Sequence, residues 1–257
     1  MEIPKFMSKC WKEYSDAKVS KLKKQWETTE NRYIRSLFLQ YIQMYVLKDE
    51  RTEHKKTCLD LACGSGELAI PLHDVGFQVT GIDINQQFLK ILDAEKGDRK
   101  ITIICGDLFS DIPQQRYDLI VARFLFNHFH NTFELMDLCH KHLNPGGFII
   151  FNHINRNAVY LAAFIEQQPF NKVYKSLYGS KSSVDRHALL KWCIANNMRI
   201  LEHVPYLFFV YAPLFKNSKA HRFLFEKNEM YKSFDEKIAR GLPIDMHGQL
   251  LTIIQKA

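Results

Sequence analysis

Apolar residues follow a helical spacing near the start of the chain. From about Ser8 to Lys48 they recur every three or four positions, which predicts two helices. Thr28 or Thr29 is placed to cap the second helix. The expected apolar face of that helix consists of Tyr33, Leu37, Phe38, Tyr41, Ile42, Tyr45 and Val46. This segment therefore forms a helical extension ahead of the main fold.

The spacing changes after about residue 55, where short apolar runs alternate with helix-length stretches. The runs are TCLDLAC, QVTGIDI, ITIICGD, YDLIVARF and GGFIIFNHI. Buried strands that alternate with helices are typical of a parallel sheet covered on both faces, so the pattern predicts a doubly wound α/β core. The sequence NPGG at 144–147 predicts a turn that ends the preceding helix at His142, before the fifth strand begins.

The last third of the chain adds two strands and an insertion to this core. SVDRHALLKWCIANNMRILEH predicts a capped helix that leads into a sixth strand, which would continue from Tyr206 to Tyr211. A polar and aromatic helical insertion, roughly Pro213 to Gly241, follows it. The closing GQLLTIIQKA then predicts a seventh strand.

Composition and cysteine positions are those of an ordinary globular protein. The hydrophobic fraction is 46% and the charged fraction 25%. The six cysteines contain no CxxC pair, so neither a zinc site nor a disulfide framework is predicted. The first residues carry charges where a signal peptide needs an apolar core, and no apolar stretch is long enough to cross a membrane. We therefore expect a cytoplasmic protein with no metal and no transmembrane segment.

The net charge of +7 is concentrated at the amino end. Residues 1–57 hold thirteen Lys and Arg against eight Asp and Glu. Such a segment can attract nucleic acid or an anionic membrane surface. A solvated, lysine-rich helical face explains the same charge and is the favoured interpretation.

Carboxylates follow three consecutive predicted strands. Asp60 precedes a glycine-rich turn that contains Gly64 and Gly66, where the backbone of a strand-to-helix turn can approach a ligand closely. A carboxylate at this turn suits an ammonium or sulfonium charge and repels a pyrophosphate. Asp83 is placed to accept hydrogen bonds from ribose hydroxyls, and Asp107 from an adenine amino group. The three together indicate an adenosyl ligand.

This ordered set resembles the class I S-adenosylmethionine-dependent methyltransferases. LDLACGSG is similar to their first motif, GIDI to their ribose-binding strand end, CGDLF to their adenine-contacting motif, and YDLIVARFLFNHF and LNPGGFIIF to their fourth and fifth strands. One departure is Ala62, which stands at the first glycine of the family's D-x-G-x-G-x-G; alanine is small, so we expect binding to survive. The resemblance implies a mostly parallel, seven-stranded sheet with an antiparallel last strand.

The resemblance also implies the ligand and the division of the chain. S-adenosylmethionine is expected as the cofactor and S-adenosylhomocysteine as its product, without a metal. Residues 1–257 would form a single methyltransferase domain, with a helical cap at 1–50, a cofactor-binding core at 55–155, and acceptor-side helices, insertion and last strands at 156–257. The implied cofactor contacts are Asp60, Ala62, Cys63, Gly64, Gly66, Asp83, Ile84, Asp107, Leu108, Arg123 and Phe124.

The family places its acceptor after strands four and five, where several side chains are candidates for a base. His128 is the first of them, and a role in packing beside the cofactor stays open for it. Asn127, His130 and His153 lie in the same two segments. Arg32 or Arg35 of the amino-terminal helix is a further candidate, for binding the carboxylate of the cofactor.

The expected reaction is methyl transfer to an O, N or C atom of a small-molecule or lipid-like acceptor. No NPPY or DPPY follows the fourth strand and no Pro-Cys pair occurs, so the usual motifs for amide or adenine nitrogen and for pyrimidine C5 are missing. Aromatic residues could line an acceptor pocket, or could pack the core instead. They are Trp11, Tyr14, Trp26, Tyr206, Phe208, Phe209, Tyr211, Phe215, Phe223 and Phe225.

Three alternatives stay open. The basic amino-terminal region could serve an RNA or protein acceptor, although nucleic acid is not favoured. The chain could be a catalytically silent S-adenosylmethionine-binding regulatory module. Least favoured is an NAD-dependent oxidoreductase: Gly64, Gly66 and Ala69 match G-x-G-x-x-A, but that class accounts for neither Asp60 nor Asp107. Nothing in the sequence indicates an oligomeric state.

Overall fold

The computed structural model describes residues 14–48, 55–129, 131–178, 181–206, 226–227 and 229–257. Its strands are β1 (Thr57–Leu61), β2 (Gln78–Asp83), β3 (Thr102–Cys105), β4 (Tyr117–Ala122), β5 (Leu143–Ile154), β6 (Met198–Pro205) and β7 (Gln249–Lys256). Its helices are α1 (Asp16–Trp26), α2 (Thr29–Tyr45), α3 (Ala69–Asp74), α4 (Gln86–Glu95), α5 (Thr132–Lys141), α6 (Arg156–Glu166), α7 (Phe170–Tyr178), α8 (Arg186–Ala195) and α9 (Glu229–Gly241). Short 3₁₀ turns cover Phe126–His128 and Ile244–Met246.

The strands form a seven-stranded sheet in the order β3-β2-β1-β4-β5-β7-β6. β1 pairs in parallel with both β2 and β4, and β2 pairs in parallel with β3. β6 and β7 pair antiparallel. The predicted fold class is therefore confirmed. Because parallel strands end at the same edge of a sheet, the carboxyl ends of β1, β2, β3 and β4 lie together, which is where such folds bind ligands.

The chain falls into two compact units. The first runs up to Arg123 and takes in Lys141–Phe148, and the second comprises Phe124–His140 and Ile149–Ala257. This division into compact units does not test the prediction that the chain forms a single domain, which stays a prediction.

In the first unit the amino-terminal helices form as expected. Thr28 caps α2, since its Oγ1 accepts a hydrogen bond from the Asn31 N–H at 3.4 Å. Leu37, Phe38, Tyr41, Ile42 and Val46 are buried, whereas Tyr33 and Tyr45 are half-buried. Tyr14 and Val19 pack with Phe88 of α4, and the Tyr14 and Phe88 rings meet edge to face with their centroids 6.2 Å apart.

In the second unit, the small-residue face of α6 packs against α7. Ala158, Val159, Ala162 and Ala163 of that helix pack against Val173 of α7. Asp185 caps α8 as expected, because its Oδ1 accepts from the backbone N–H groups of His187 and Ala188. No helix within the ranges given above is long and apolar enough to cross a membrane.

Two predicted element boundaries are wrong. NPGG is part of β5, not a turn ahead of it: Gly146 takes up the left-handed backbone (φ 75°) inside the strand, and Asn144 Nδ2 donates to Asp118 Oδ1 at 2.8 Å. β6 ends at Pro205 and does not include Tyr206. The rest of the expected continuation, through Tyr211, lies outside the described residues, as does most of the insertion before α9.

Candidate functional site

The turn after β1 is made by three residues with left-handed backbone. Ala62, Gly64 and Gly66 have φ of 55°, 53° and 88°. The Cys63 N–H donates to the Ile82 carbonyl of β2 at 3.1 Å, which ties the turn to the sheet, and Gly66 N–H donates to the Cys63 carbonyl at 2.9 Å. Glycine adopts this backbone freely, whereas alanine pays about 1 kcal/mol for it. The departure at Ala62 therefore falls on a position that favours glycine.

Asp83 joins the end of β2 to this turn. Its Oδ2 accepts a hydrogen bond from the Gly64 N–H at 3.0 Å, and its Oδ1 accepts from the Asn85 N–H at 2.8 Å. Burial raises the pKa of Asp83 above its ordinary value, against the backbone hydrogen bonds from Asn85, Gly64 and Ile84, which lower it. A carboxylate oxygen has room for a second donor beside each backbone N–H. Asp83 thus keeps acceptor capacity for a ligand hydroxyl beside these backbone donors.

Asp60 is a buried acid beside the same turn. It lies in β1 opposite Gly81 of β2 and Val121 of β4. Burial raises its pKa to about 7, while Arg123 and the backbone hydrogen bond from Ala69 lower it. Its Oδ2 is buried without a hydrogen-bond partner among the described residues. A buried carboxylate oxygen with that vacancy is suited to a cationic ligand.

The polar atoms around the turn fit an adenosyl ligand with an amino-acid tail. Like Asp60 Oδ2, Ser65 Oγ is buried and makes no hydrogen bond within the part of the chain that the structure covers. Buried polar groups of this kind are normally satisfied, so two of them around one glycine turn indicate a bound partner. These polar groups, the Asp60 carboxylate, the Ser65 hydroxyl and the Asp83 carboxylate, fit S-adenosylmethionine. In and near this turn, Cys63 and Gly64 are buried and Ala62 and Ile84 are half-buried.

Asp107 and Leu108 follow β3, where the sequence places the adenine contact. Asp107 Oδ1 accepts from the Phe109 N–H at 2.9 Å, and the Asp107 N–H donates to Asp111 Oδ2 at 2.7 Å. Both Asp107 and Leu108 are partly exposed. The local turn holds Asp107 through its Oδ1 and leaves Oδ2 available as an acceptor.

Phe124 directly follows Arg123 at the end of β4 and has a left-handed backbone (φ 60°). Its N–H donates to Asn152 Oδ1 at 2.6 Å. Left-handed backbone is unusual for a bulky residue and is often found at functional sites. Arg123 lies close enough to Asp60 to affect the charge of that carboxyl.

The four candidates for a base have different surroundings. His128 is partly buried, and burial, followed by the charge of Lys181, lowers its pKa to about 4. His153 is fully buried, with Nε2 2.9 Å from Thr252 Oγ1 and Nδ1 3.2 Å from the Ile154 carbonyl, so it is a structural residue. Asn127 is buried and structural as well, since its Oδ1 accepts from the Ile154 N–H. His130 lies outside the described residues.

The arginines proposed for the cofactor carboxylate have protein partners. Arg35 makes an ion pair with Glu67 at 2.9 Å, at a groove of about 390 Å³ that Ser65 and Gly66 also line. Arg32 is bonded to the Glu27 carbonyl and to Thr29 Oγ1. Among the expected pocket aromatics, Tyr14 and Tyr206 are buried. Trp11, Phe208, Phe209, Tyr211, Phe215, Phe223 and Phe225 lie outside the described residues, as does the side chain of Trp26.

Sequence reasoning missed a buried polar chain that reaches Phe124. Asn152 Nδ2 donates to the Tyr206 hydroxyl at 3.0 Å, and that hydroxyl donates to Gln249 Oε1 at 2.9 Å. Asn152 and Gln249 had no signal in the sequence, because they come from separate strands far apart in the chain. Within the described ranges, no group of three or more His, Cys, Asp or Glu is arranged to hold a metal ion.

Known structures share this architecture. The plantazolicin methyltransferase BpumL, in complex with a triazolic desmethylPZN analog and SAH, aligns over 97% of this chain and 94% of its own with a TM-score of 0.58 at 19% identity. Magnesium protoporphyrin IX methyltransferase (ChlM) from Synechocystis PCC 6803 with bound SAH aligns over 86% of this chain and 82% of its own with a TM-score of 0.54 at 12% identity. At sequence identities this low, the structural similarity establishes a shared fold and no shared substrate.

Sequence relatives and a family profile carry the assignment further. Ubiquinone biosynthesis O-methyltransferase of Coxiella burnetii (strain Dugway 5J108-111) is 25% identical over 191 residues, covering 72% of this chain and 82% of the relative. The enzyme of that name from Proteus mirabilis (strain HI4320) is 28% identical over 174 residues, covering 65% and 69%. The profile of the family described as Methyltransferase domain matches residues 30–207. The chain belongs to this family and is an S-adenosylmethionine-dependent methyltransferase.

Proposed function

We propose that the enzyme methylates a hydroxyl oxygen of a small, largely apolar molecule. The similarity to ubiquinone biosynthesis O-methyltransferases over 72% of the chain supports oxygen as the accepting atom. The hydrogen bond between the Gly64 N–H and Asp83 Oδ2 supports the cofactor half of the proposal, because it fixes a carboxylate suited to ribose hydroxyls beside the glycine turn.

In this proposal the cofactor contacts come from the carboxyl ends of β1, β2, β3 and β4 and the residues that follow them. Asp83 accepts the two ribose hydroxyls, and Asp60 faces the positively charged part of the ligand. Ala62, Cys63, Gly64 and Gly66 bring the backbone close to the ligand, with Ile84 and Leu108 flanking its apolar surfaces and Asp107 accepting from the adenine amino group. Arg123 and Phe124 complete the set at the end of β4.

Bound S-adenosylmethionine supplies a methyl group that is already activated by a positively charged sulfur. The work left to the protein is to hold the acceptor oxygen in line with that methyl group and to exclude water. A hydroxyl acceptor must also lose its proton. We assign this proton to His128, whose imidazole is neutral at pH 7 because its pKa is about 4. A base this weak accepts the proton late, as the new carbon–oxygen bond forms.

The acceptor class is tested with a defined panel. Purified enzyme is incubated with methyl-labelled S-adenosylmethionine and catechols that carry alkyl chains of increasing length, and products are identified by mass spectrometry. We expect O-methylated catechols, formed with an equal amount of S-adenosylhomocysteine. Aniline analogues of the same shape serve as matched controls. Faster methylation of the anilines, or no turnover of any hydroxyl compound, contradicts the proposal.

We propose a cytoplasmic location as well. Cys58, Cys63, Cys105, Cys139 and Cys193 are all free thiols, which is the usual state of cysteines in a reducing compartment. Fractionation of the native host with an antibody against the chain tests this location.

A further inference from the structure

The segment that follows β4 is held at both ends by buried asparagines. The Phe124 N–H donates to Asn152 Oδ1 at 2.6 Å. Three positions after Phe124, Asn127 Oδ1 accepts from the Ile154 N–H at 3.0 Å, and the Asn127 carbonyl accepts from the Ser182 N–H at 2.7 Å. The segment between them leads directly into His128.

The first of these attachments is the end of a longer chain of hydrogen bonds. A backbone N–H can only donate, so the oxygen of the Asn152 amide must face Phe124 and its nitrogen must face Tyr206. The Tyr206 hydroxyl accepts from that nitrogen and therefore gives its own proton to Gln249 Oε1. Asn152, Tyr206 and Gln249 are 0%, 1% and 4% exposed, so each link is made without competition from water.

This series of hydrogen bonds supports an unfavourable backbone conformation at Phe124. Phe124 is one of the few non-glycine residues with a positive φ in the described part of the chain, and its Cβ makes that conformation unfavourable. Such a conformation persists only where the surroundings over-determine it. The hydrogen bond from the Phe124 N–H to Asn152 Oδ1 is a contact that helps to fix this backbone.

We propose that Asn152, Tyr206 and Gln249 are positioning residues that act through Phe124. They hold the backbone after Arg123 in the left-handed conformation that cofactor binding requires. The inference rests on the proposed placement of Phe124 at the cofactor site.

Cofactor affinity tests the inference without knowledge of the acceptor. The dissociation constant of S-adenosylhomocysteine is measured by calorimetry, well below the melting temperature, for wild type, Tyr206→Phe and Asn152→Ala. Tyr206→Phe keeps the ring and removes one hydroxyl, and we expect its dissociation constant to rise about fivefold. For Asn152→Ala, which removes the acceptor of the Phe124 N–H, we expect a rise of about tenfold.

Two control variants separate positioning from general stability. Thr252→Val disrupts another buried network of the same unit, in which Thr252 Oγ1 lies 2.9 Å from His153 Nε2 and 2.8 Å from His203 Nδ1. Tyr117→Phe removes a buried tyrosine hydroxyl that accepts from Gln115 Nε2. Both are expected to lower the melting temperature and to leave the dissociation constant unchanged. If they weaken binding as much as Tyr206→Phe does, the polar chain is merely structural and the inference fails.

A double-mutant cycle shows whether the effect passes through Phe124. In a Phe124→Gly background, where the left-handed backbone is free of strain, Asn152→Ala is expected to add nothing to the loss of affinity. Additive losses overturn the inference. Phe124→Ala alone separates the cofactor-site assignment from the positioning role. Unchanged affinity refutes the placement of Phe124 at the cofactor site. A loss with Phe124→Ala but none with Tyr206→Phe refutes only the positioning role. If Asn152→Ala does not fold, the cycle is run with Tyr206→Phe.

Discussion

Asp83 and Gly64, nineteen positions apart, are joined by a hydrogen bond of 3.0 Å from the Gly64 N–H to Asp83 Oδ2. The bond ties the end of β2 to the turn after β1. One carboxylate thereby shapes the glycine turn and keeps lone pairs for a ligand. The ribose contact proposed for Asp83 and the shape of the glycine turn are therefore coupled, and a change at Asp83 is expected to affect both.

Asp83→Ala is expected to weaken S-adenosylhomocysteine binding by at least about tenfold, because charge-assisted hydrogen bonds and the support of Gly64 are both lost. Calorimetric titration measures this change. Asp93→Ala is the control, since Asp93 is an exposed acid of α4 that pairs with Lys96 at 2.9 Å. Equal affinity of the Asp83 variant and wild type would count against the assignment of the pocket.

The raised pKa of Asp60 predicts a pH-dependent stability difference in the ligand-free protein. The unfolded chain ionises Asp60 above about pH 4, whereas the folded chain does so only near pH 7. The folded state therefore binds more protons in this window, and its stability falls as pH rises from about 4 to 7. Asp60→Asn has no such loss. Its free energy of unfolding relative to that of wild type should therefore rise by a few kcal/mol, on the order of 1.4 kcal/mol per pH unit.

Urea unfolding of both proteins at pH 5 and pH 8 measures this growth. Other titrating groups are shared by the two proteins, so their effects cancel in the difference. A stability difference that is the same at both pH values would show that Asp60 is ionised throughout.

Binding of a cationic ligand should deprotonate Asp60. A cationic ligand favours the carboxylate and lowers its pKa, so binding near pH 7 is expected to release a proton. Calorimetry in buffers of different ionisation enthalpy detects that proton. Affinity should accordingly fall between pH 7 and pH 5.5 for wild type and stay level for Asp60→Asn. Proton release by the Asp60→Asn protein equal to that of wild type would assign the proton to another group.

Alanine substitutions at two glycines distinguish the cost of backbone strain from the cost of side-chain crowding at the turn after β1. Gly66 has φ +88°, and an added Cβ would lie 2.4 Å from Leu92 Cδ1, a buried side chain; Gly97 has φ +56° and open space around it. Gly97→Ala is expected to cost about 1 kcal/mol of stability from backbone strain alone. Gly66→Ala should cost about 2–3 kcal/mol, because Leu92 must also shift. Urea unfolding compares the two, and similar losses would mean that the core around Leu92 yields easily.

His128→Ala is expected to lower turnover of the catechol probe by about a hundredfold or more, without changing S-adenosylhomocysteine affinity. The pKa of His128, about 4, also predicts no change in its protonation between pH 5 and pH 8. At saturating cofactor, the turnover rate should therefore show no rise or fall between pH 5 and pH 8 that is due to titration of His128. His187→Ala, at an exposed histidine next to Asp185, is the control. Turnover that survives in His128→Ala would leave His128 a packing residue.

The sheet and its acidic edge could be predicted from the sequence because both depend on local patterns. Apolar runs of the right length located the first five strands, and Asp60 and Asp83 were identified by their positions at strand ends. The boundaries failed where backbone geometry overrode the pattern. NPGG is accommodated inside β5 because Gly146 takes up the left-handed turn and Asn144 bonds to Asp118.

Long-range polar contacts could not be predicted in the same way. Nothing in the sequence relates Asn152 to Tyr206 or to Gln249, since their pairing depends on how β5, β6 and β7 are brought together. The ion pair of Arg35 with Glu67 likewise redirects a side chain that the sequence left available for the cofactor. His153 has the composition of a catalytic candidate and the surroundings of a core residue, and burial alone distinguishes the two.

The thiol at the end of β3 offers a practical handle. Cys105 is exposed, whereas Cys58, Cys63, Cys139 and Cys193 are buried. An alkylating fluorophore should therefore react first at Cys105, once Cys10, which lies outside the described residues, is replaced by serine. The attached dye would sit two positions from Asp107, so a change in its emission on cofactor binding would test the adenine contact proposed there.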